Sequence, residues 1–300
     1  MKFNIILILI SFIFCFHEKV ISNPTPRPFN AIFNFGNSLS DTGNFLATGA
    51  NLFTVIGQPP YGETFFRHAT GRCSDGRLVI DFIDCDSYFK RPLFVVGEIG
   101  GNDYNYAAFA GDITHLRDTV PLVVQTIAKV IDELIAEGAV ELLVPGNLPV
   151  GCSVVYLTSF SSKNIKDYDE NGCLKSFNDL AKNHNMQLNI ALQTLRKKNP
   201  HARIMYADYF GAAKRFFHSP RHYGFTNGAL NACCGGGRRY NFNDSARCGY
   251  KGSKVCEDPS TYTNWDGIHL TEAAYRHIAK GLINGPFSIP PLKPAFFKIA

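Results

Sequence analysis

The chain spells out few of the motifs that fix a class at once. It has no paired Cys-x-x-Cys spacing, so no zinc ribbon or finger framework is written in it. No basic stripe with interleaved aromatics runs through it. With 30 Lys and Arg against 25 Asp and Glu, a net charge of +5, the balance makes no case for nucleic acid. No internal repeat or low-complexity tract occurs, which excludes solenoids and fibrous arrays. There is no Gly-x-Ser-x-Gly elbow. Past the first 22 residues, no run is long and apolar enough to read as a transmembrane helix.

What is present fits an exported α/β protein. The 300 residues are 45% hydrophobic and 18% charged, enough apolar matter for a sizeable core. Lys2 precedes an apolar run over 5–16, with polar residues and Val20-Ile21-Ser22 after it, the layout of a secretory signal removed near Ser22. Removal takes Lys2, Lys19 and Glu18 and lowers the net charge by one, from +5 to +4. Of nine cysteines, Cys15 leaves with the signal. Cys73, Cys85, Cys152, Cys173, Cys233, Cys234, Cys248 and Cys256 remain, and an even number in an exported chain reads as disulfides of unspecified connectivity. Asn243-Asp244-Ser245 is a glycosylation sequon, and Arg238-Arg239 reads as part of a solvated loop.

Strand and helix patterns alternate. Apolar runs over 31–35, 93–99, 140–144 and 203–207 read as strands. A helix is expected over 119–137, with Pro121 in its first turn, Gly138 at its stop and a core face of Leu122, Ile127, Val130, Ile131 and Leu134. Further helices are expected from Leu174 to before Pro200 and over 270–283, the last capped by Thr271, and a short helical stretch over 74–83. Residues 44–77, rich in Gly, Pro, Thr and aromatics, read as long binding loops, with Phe65 and Phe66 packed beneath them. The alternation implies one domain, 23–300, with a parallel sheet covered on both faces.

Three places carry chemistry. Ser38 follows the 31–35 run and Gly36, among residues that favour turns and helix starts. A serine there caps a helix or presents its hydroxyl at the rim of the sheet, where α/β proteins bind ligands. Asp266 stands three residues ahead of His269, a spacing that lets a carboxylate hold Nδ1–H and leave Nε2 to accept a hydroxyl proton. Asn102, after the 93–99 run, offers a neutral amide donor suited to an oxyanion. Serine, asparagine and histidine on one rim are what ester hydrolysis requires. The remaining histidines have no usable partner spacing and read as surface or packing residues.

The blocks Gly36-Asn37-Ser38-Leu39-Ser40-Asp41-Thr42-Gly43-Asn44, Gly100-Gly101-Asn102-Asp103 and Asp266-Gly267-Ile268-His269 resemble three signature blocks of the plant-type GDSL esterase/lipases, within the SGNH hydrolases. The likeness continues through 60–66, 71–77, 144–147 and 233–236, and covers nearly the whole mature chain. It implies a flavodoxin-like three-layer α/β fold with a parallel sheet, no cofactor or metal, and a small-molecule or lipid ester as substrate. It also implies Ser38 as nucleophile, His269 as base and then acid, Asp266 as its orienting partner, and Asn102 with the Ser38 N–H as oxyanion donors.

Two departures stand out. Asn37 replaces the aspartate that usually precedes the serine, which removes one negative charge beside the nucleophile, with a modest effect expected. A glycine-containing block, normally following an edge strand and supplying a third oxyanion donor, is missing: Asp81-Phe82-Ile83 runs almost directly into Asp86-Ser87-Tyr88-Phe89. The sheet is therefore expected to lack one edge strand, the path from 31–35 to 93–99 to become left-handed, and Cys85 to stand as a free thiol if its partner lies in the missing segment. The competing readings are a shortened, non-catalytic secreted protein and a disulfide-stapled carbohydrate-binding or wall-associated protein.

Overall fold

The structure, a computed structural model, describes residues 11–12, 31–49, 53–83, 92–111, 113 and 115–292. Most of the expected signal, Cys15, Cys85 and the connection over 84–91 lie outside the described residues.

Four short strands rich in Val, Ile, Leu and Phe form the centre: β2 (Ala31–Phe35), β3 (Pro92–Val96), β4 (Glu141–Pro145) and β5 (Arg203–Ala207). They pair in parallel and in that spatial order. The flanking strands β1 (Ser11–Phe12), against β2, and β8 (Ser288–Ile289), against β5, are antiparallel. A separate two-stranded piece joins β6 (Cys234–Gly235) to β7 (Lys254–Val255). Where flavodoxin-like order would place another parallel strand outside β2, the described residues supply two antiparallel ones, Ser11 and Phe12. The connection after Ile83, where the expected loss of an edge strand would fall, lies outside the described residues.

Helices cover both faces, and two apolar clusters mark the two layers of core. On one side α3 (Leu116–Ala136) and α5 (Lys175–Lys198) pack with α2 (Gly101–Phe109) and α4 (Val154–Ser159). On the other, α6 (Tyr209–His218) and α7 (Glu272–Asn284) pack on Leu93, Val95, Leu143 and Met205. Helix α1 (Asn44–Ala47) is a single turn. Every residue of β4 is buried, as a strand covered on both faces must be.

The structure corrects several sequence readings. The strand expected over 93–99 ends at Val96, where its partner β2 ends at Phe35; the last ladder bond runs from the Gly97 N–H to the Phe35 carbonyl. A Cβ at Gly97 would lie 2.0 Å from that carbonyl oxygen, so glycine is needed for the approach. Helix α3 starts at Leu116, since Asp118 N–H and the Thr119 hydroxyl close a turn on His115 and Leu116, and Pro121 therefore sits inside the helix. Leu122 is 68% exposed, and the buried stripe runs Val120, Val123, Val124, Ile127, Ile131, Ile135. Leu122 is five residues before Ile127, about 140° round the helix from it. The helical stretch expected from Ser74 shrinks to a 3₁₀ turn, Val79–Phe82. Phe65 is half exposed, its ring under the Arg77 guanidinium.

Six of the cysteines form Cys152–Cys173, Cys233–Cys256 and Cys234–Cys248, while Cys73 is a buried thiol. Two histidine contacts are packing features: buried His184 Nδ1 meets the Tyr104 hydroxyl at 2.7 Å, and half-buried His277 Nε2 donates to the Tyr223 carbonyl.

Ile131→Ala should lower unfolding free energy by about 2–5 kcal/mol. Leu122→Ala on the same helix should stay within about 0.5 kcal/mol. Urea unfolding midpoints compare them, and equal losses would contradict the corrected phase.

Candidate active site

The turn after β2 is built by two side chains. Asn37 accepts Leu39 N–H through Oδ1, and its carbonyl accepts the N–H groups of Ser40 and Asp41. The Asp41 carboxylate collects the N–H groups of Gly43, Asn44 and Phe45, satisfying donors at the start of α1. Inside β2, buried Asn34 donates to the Ser40 carbonyl and ties the turn back to its strand. Ser38 is half-buried at the crest.

The second part is the loop before α7. Asp266 is buried and accepts the backbone N–H of Ile268 and His269 on Oδ1; on Oδ2 it accepts His269 Nδ1–H at 2.7 Å and the Tyr61 hydroxyl at 3.0 Å. A carboxylate can only accept, so in the neutral ring the proton sits on Nδ1 and Nε2 offers its lone pair. Nε2 lies 2.9 Å from Ser38 Oγ. Gly267 takes φ +98°, which permits the tight turn joining carboxylate to imidazole.

Distant segments hold this loop. Cys233 and Cys234, each in a disulfide, donate backbone N–H to the carbonyls of Asn264 and Trp265. From 71–77, Ser74 donates to the Leu270 carbonyl, Asp75 accepts Glu272 N–H, and Arg77 pairs with Glu272 at 2.8 Å. Burial alone would favour neutral forms of Asp266 and His269. Their mutual attraction and hydrogen bonds outweigh it, so the carboxyl is held below its ordinary range and the imidazole well above 6.5. Burial, and then the Asp266 charge, push the Tyr61 hydroxyl far up and keep it a donor.

Ser38, His269 and Asn102 line one cleft. Asn102 stands in the first turn of α2, exposed, and its Oδ1 accepts from Asn105 Nδ2 at 3.3 Å. Asn105 is in turn fixed by the Tyr156 hydroxyl at 2.5 Å. Leu148, Val150, Phe217 and Ile268 give the cleft an apolar side. The structure thus brings together all four sequence-expected site residues: Ser38, His269 and Asp266 in one hydrogen-bonded line, and Asn102 across the same cleft.

Sequence reasoning missed Glu98, Asn105, Tyr156 and the bond from Tyr61. Glu98 left a signal, as the one charged residue in an otherwise apolar 93–99 run. Asn105, Tyr156 and Tyr61 left none, because their roles arise from contacts between segments far apart in the chain.

The sequence model described as GDSL-like Lipase/Acylhydrolase matches residues 86–282, which include Asn102, Asp266 and His269 and begin after Ser38. A GDSL esterase/lipase of Arabidopsis thaliana is 43% identical over 370 aligned residues, covering 97% of this chain and 99% of the relative. A second from the same plant is 40% identical, covering 92% and 87%. The sinapine esterase of Brassica napus is 37% identical, covering 90% and 89%. The 370 aligned positions exceed the chain's 300 residues, so at least 70 of them face no residue here.

Reaction of Ser38 with a fluorophosphonate needs a neutral His269. The imidazolium is favoured, so the labelling rate should rise with pH through a midpoint above the ordinary value of about 6.5. Asp266→Asn, which loses both the charge and the Nδ1–H tautomer, should slow labelling by about 10⁴ and move the midpoint down. An unchanged midpoint in that variant would break the assignment of the shift to Asp266.

Proposed function

The chain belongs to the GDSL-like lipase/acylhydrolase family, and from that premise we propose that it is a secreted ester hydrolase working through an acyl-serine intermediate. The observation that carries this reading is the unbroken line from Asp266 through His269 to Ser38 Oγ. Ser38 Oγ attacks the ester carbonyl carbon as its proton passes to His269 Nε2, and Asp266 stabilises the imidazolium. The carbonyl oxygen takes the negative charge, facing the Ser38 N–H and Asn102 Nδ2. The Asn102 amide oxygen accepts from Asn105, which leaves its NH₂ group free to donate. When the intermediate collapses, the C–O bond to the alcohol breaks and the imidazolium returns the proton to the leaving oxygen. Water then attacks the acyl carbon with His269 as base, releasing the acid and restoring the serine.

The apolar wall of Leu148, Val150 and Phe217 suits the acyl chain of a small or lipid ester. Export is supported by the leader-like layout of residues 1–22 and by three disulfides; among the described residues no helix is long and apolar enough to cross a membrane. Asn243, whose Oδ1 accepts Ser245 N–H beside exposed residues, is the proposed glycosylation site.

The gap bears on the level of activity rather than its kind. The family match starting at residue 86 and the surplus aligned positions support placing the missing segment in the connection after Ile83. A lost third oxyanion donor would lower turnover by about 10²–10³.

Turnover of a chromogenic acetate ester should vanish in Ser38→Ala. Asn102→Ala should lower kcat by about 10²–10³ with little change in KM. Hydrolysis persisting in Ser38→Ala would sink the acyl-serine route. Restoring a relative's segment at 84–91 should raise both kcat and secreted yield, and equal behaviour would show the gap to be neutral.

A further inference from the structure

Glu98 is 3% exposed and lines the cleft beside Ser38 and Asn102, yet the hydrolytic steps above leave it without work. Its carboxylate accepts from two elements at once. Asn37 Nδ2 donates to Oε2 at 2.5 Å from the turn that carries Ser38. The backbone N–H of Gly101 donates from the start of the helix that carries Asn102. Asn37 is committed at its other end, where Oδ1 accepts Leu39 N–H, so its amide cannot flip without breaking the turn.

We propose that Glu98 is a positioning residue that ties the nucleophile turn to the oxyanion helix, and that Asn37 keeps this tie from breaking as pH rises by supplying a donor that does not titrate. The proposal deepens the ester-hydrolase reading and rests on it for its kinetic consequences. An aspartate at 37 could still accept Leu39 N–H, but it would set a second carboxylate oxygen against Glu98 at hydrogen-bond distance. Two carboxyl groups that close hold together only while they share a proton, and they titrate as a coupled pair. Asn37 gives the same contact with the proton fixed on nitrogen.

The surroundings favour that solution. Burial pushes the Glu98 carboxyl up to about 7, and the bonds from Asn37 and Gly101 oppose the rise. Asp103 on α2 adds a further negative charge, while Tyr104 on α2, Tyr156 on α4 and Tyr209 on α6 also face Glu98 and are neutral hydroxyls over the working range. Among the described residues no cation pairs with Glu98. A second carboxylate placed there would find no counter-charge and would have to retain a proton.

The test compares wild type, Asn37→Asp, Glu98→Gln and the double variant Asn37→Asp/Glu98→Gln in ester hydrolysis from about pH 5 to pH 10, a span covering the His269 and carboxyl titrations. The ratio of Asn37→Asp to wild-type kcat/KM cancels the His269 titration. It should stay near one while the pair holds its proton, then fall about tenfold per pH unit above the pair's upper pKa. In the double variant the amide introduced at position 98 donates to the carboxylate introduced at position 37, so the hydrogen bond returns with its direction reversed and the falling limb should disappear. Glu98→Gln alone sets amide against amide and should lower kcat without adding that limb. A ratio independent of pH, or a falling limb that survives in the double variant, would overturn the proposal. Thermal unfolding of the same four proteins supplies a reading that needs no turnover. Asn37→Asp should lose Tm relative to wild type as pH rises, because its folded state binds the extra proton more tightly than the unfolded chain, and the double variant should not. If wild type cleaves no ester, the hydrolase reading fails, and the pH dependence of Tm still decides whether the tie exists.

Discussion

The structure turns on a carboxylate and an imidazole removed from water and aimed at a hydroxyl. Burying Asp266 without partners would cost several kcal/mol. It receives two backbone N–H groups, one imidazole N–H and one phenol instead, so it stays charged inside the protein. That charge fixes which nitrogen of His269 carries the proton, and so which one faces Ser38. Much of the structure outside the sheet serves this pair. The disulfide-linked 233–256 lobe grips the backbone at 264–265, and the 71–77 loop grips it at 270–272. Without such bracing on both sides, a four-residue turn in a loop would be too mobile to hold a 2.9 Å contact across the cleft.

The sheet provides the other half of the alignment. Parallel strands put all their carboxyl ends at one rim, so the turn after β2 and the helix after β3 emerge side by side. Gly97 sharpens that neighbourhood by letting the two strand ends come into backbone contact just before their loops diverge. Glu98 follows at once and spans the space between the loops. The loop after β4 adds the apolar wall. Chemistry thus comes from segments far apart in the chain, held by short-range geometry that each strand end supplies locally.

Much of this was legible in the sequence, where a residue's own neighbours decide its role. Ser38 after an apolar run, Asp266 three residues before His269 and Thr271 at a helix start are local patterns, and the structure keeps all three. Leu122 failed because Pro121 drew the helix start into the wrong place. With the helix starting at Leu116, and Val120, Val123 and Val124 counted, the stripe turns away from Leu122. Which cysteines pair could not be read, because pairing depends on how the 233–256 loop closes. Glu98 was visible as an oddity in an apolar run, but its partner at position 37 lies 61 residues away. Asn37 could be recognised as a departure, yet its meaning depends on a carboxylate that only the folded chain brings to it.

The chain's two departures from the family pattern, Asn37 and the segment proposed to be missing after Ile83, differ in physical kind. Asn37 changes one hydrogen bond at the centre of the site, and a single neighbour absorbs it. The segment proposed to be missing belongs at the outer edge of β2, where Ser11 and Phe12, from the leader-like stretch, pair with Asn34 and Phe33. The opposite edge of β2 keeps five registered pairs with β3, and that ladder sets where Ser38 leaves the sheet. His269 depends on α7, the disulfide lobe and the 71–77 loop, none of which pairs with the outer edge of β2. On that proposal the proton-transfer line stays anchored while the oxyanion side has one donor fewer. A serine can be activated in such a site while the charge it generates is poorly held, so a gap of that kind would bear on turnover far more than on the readiness of Ser38 to react.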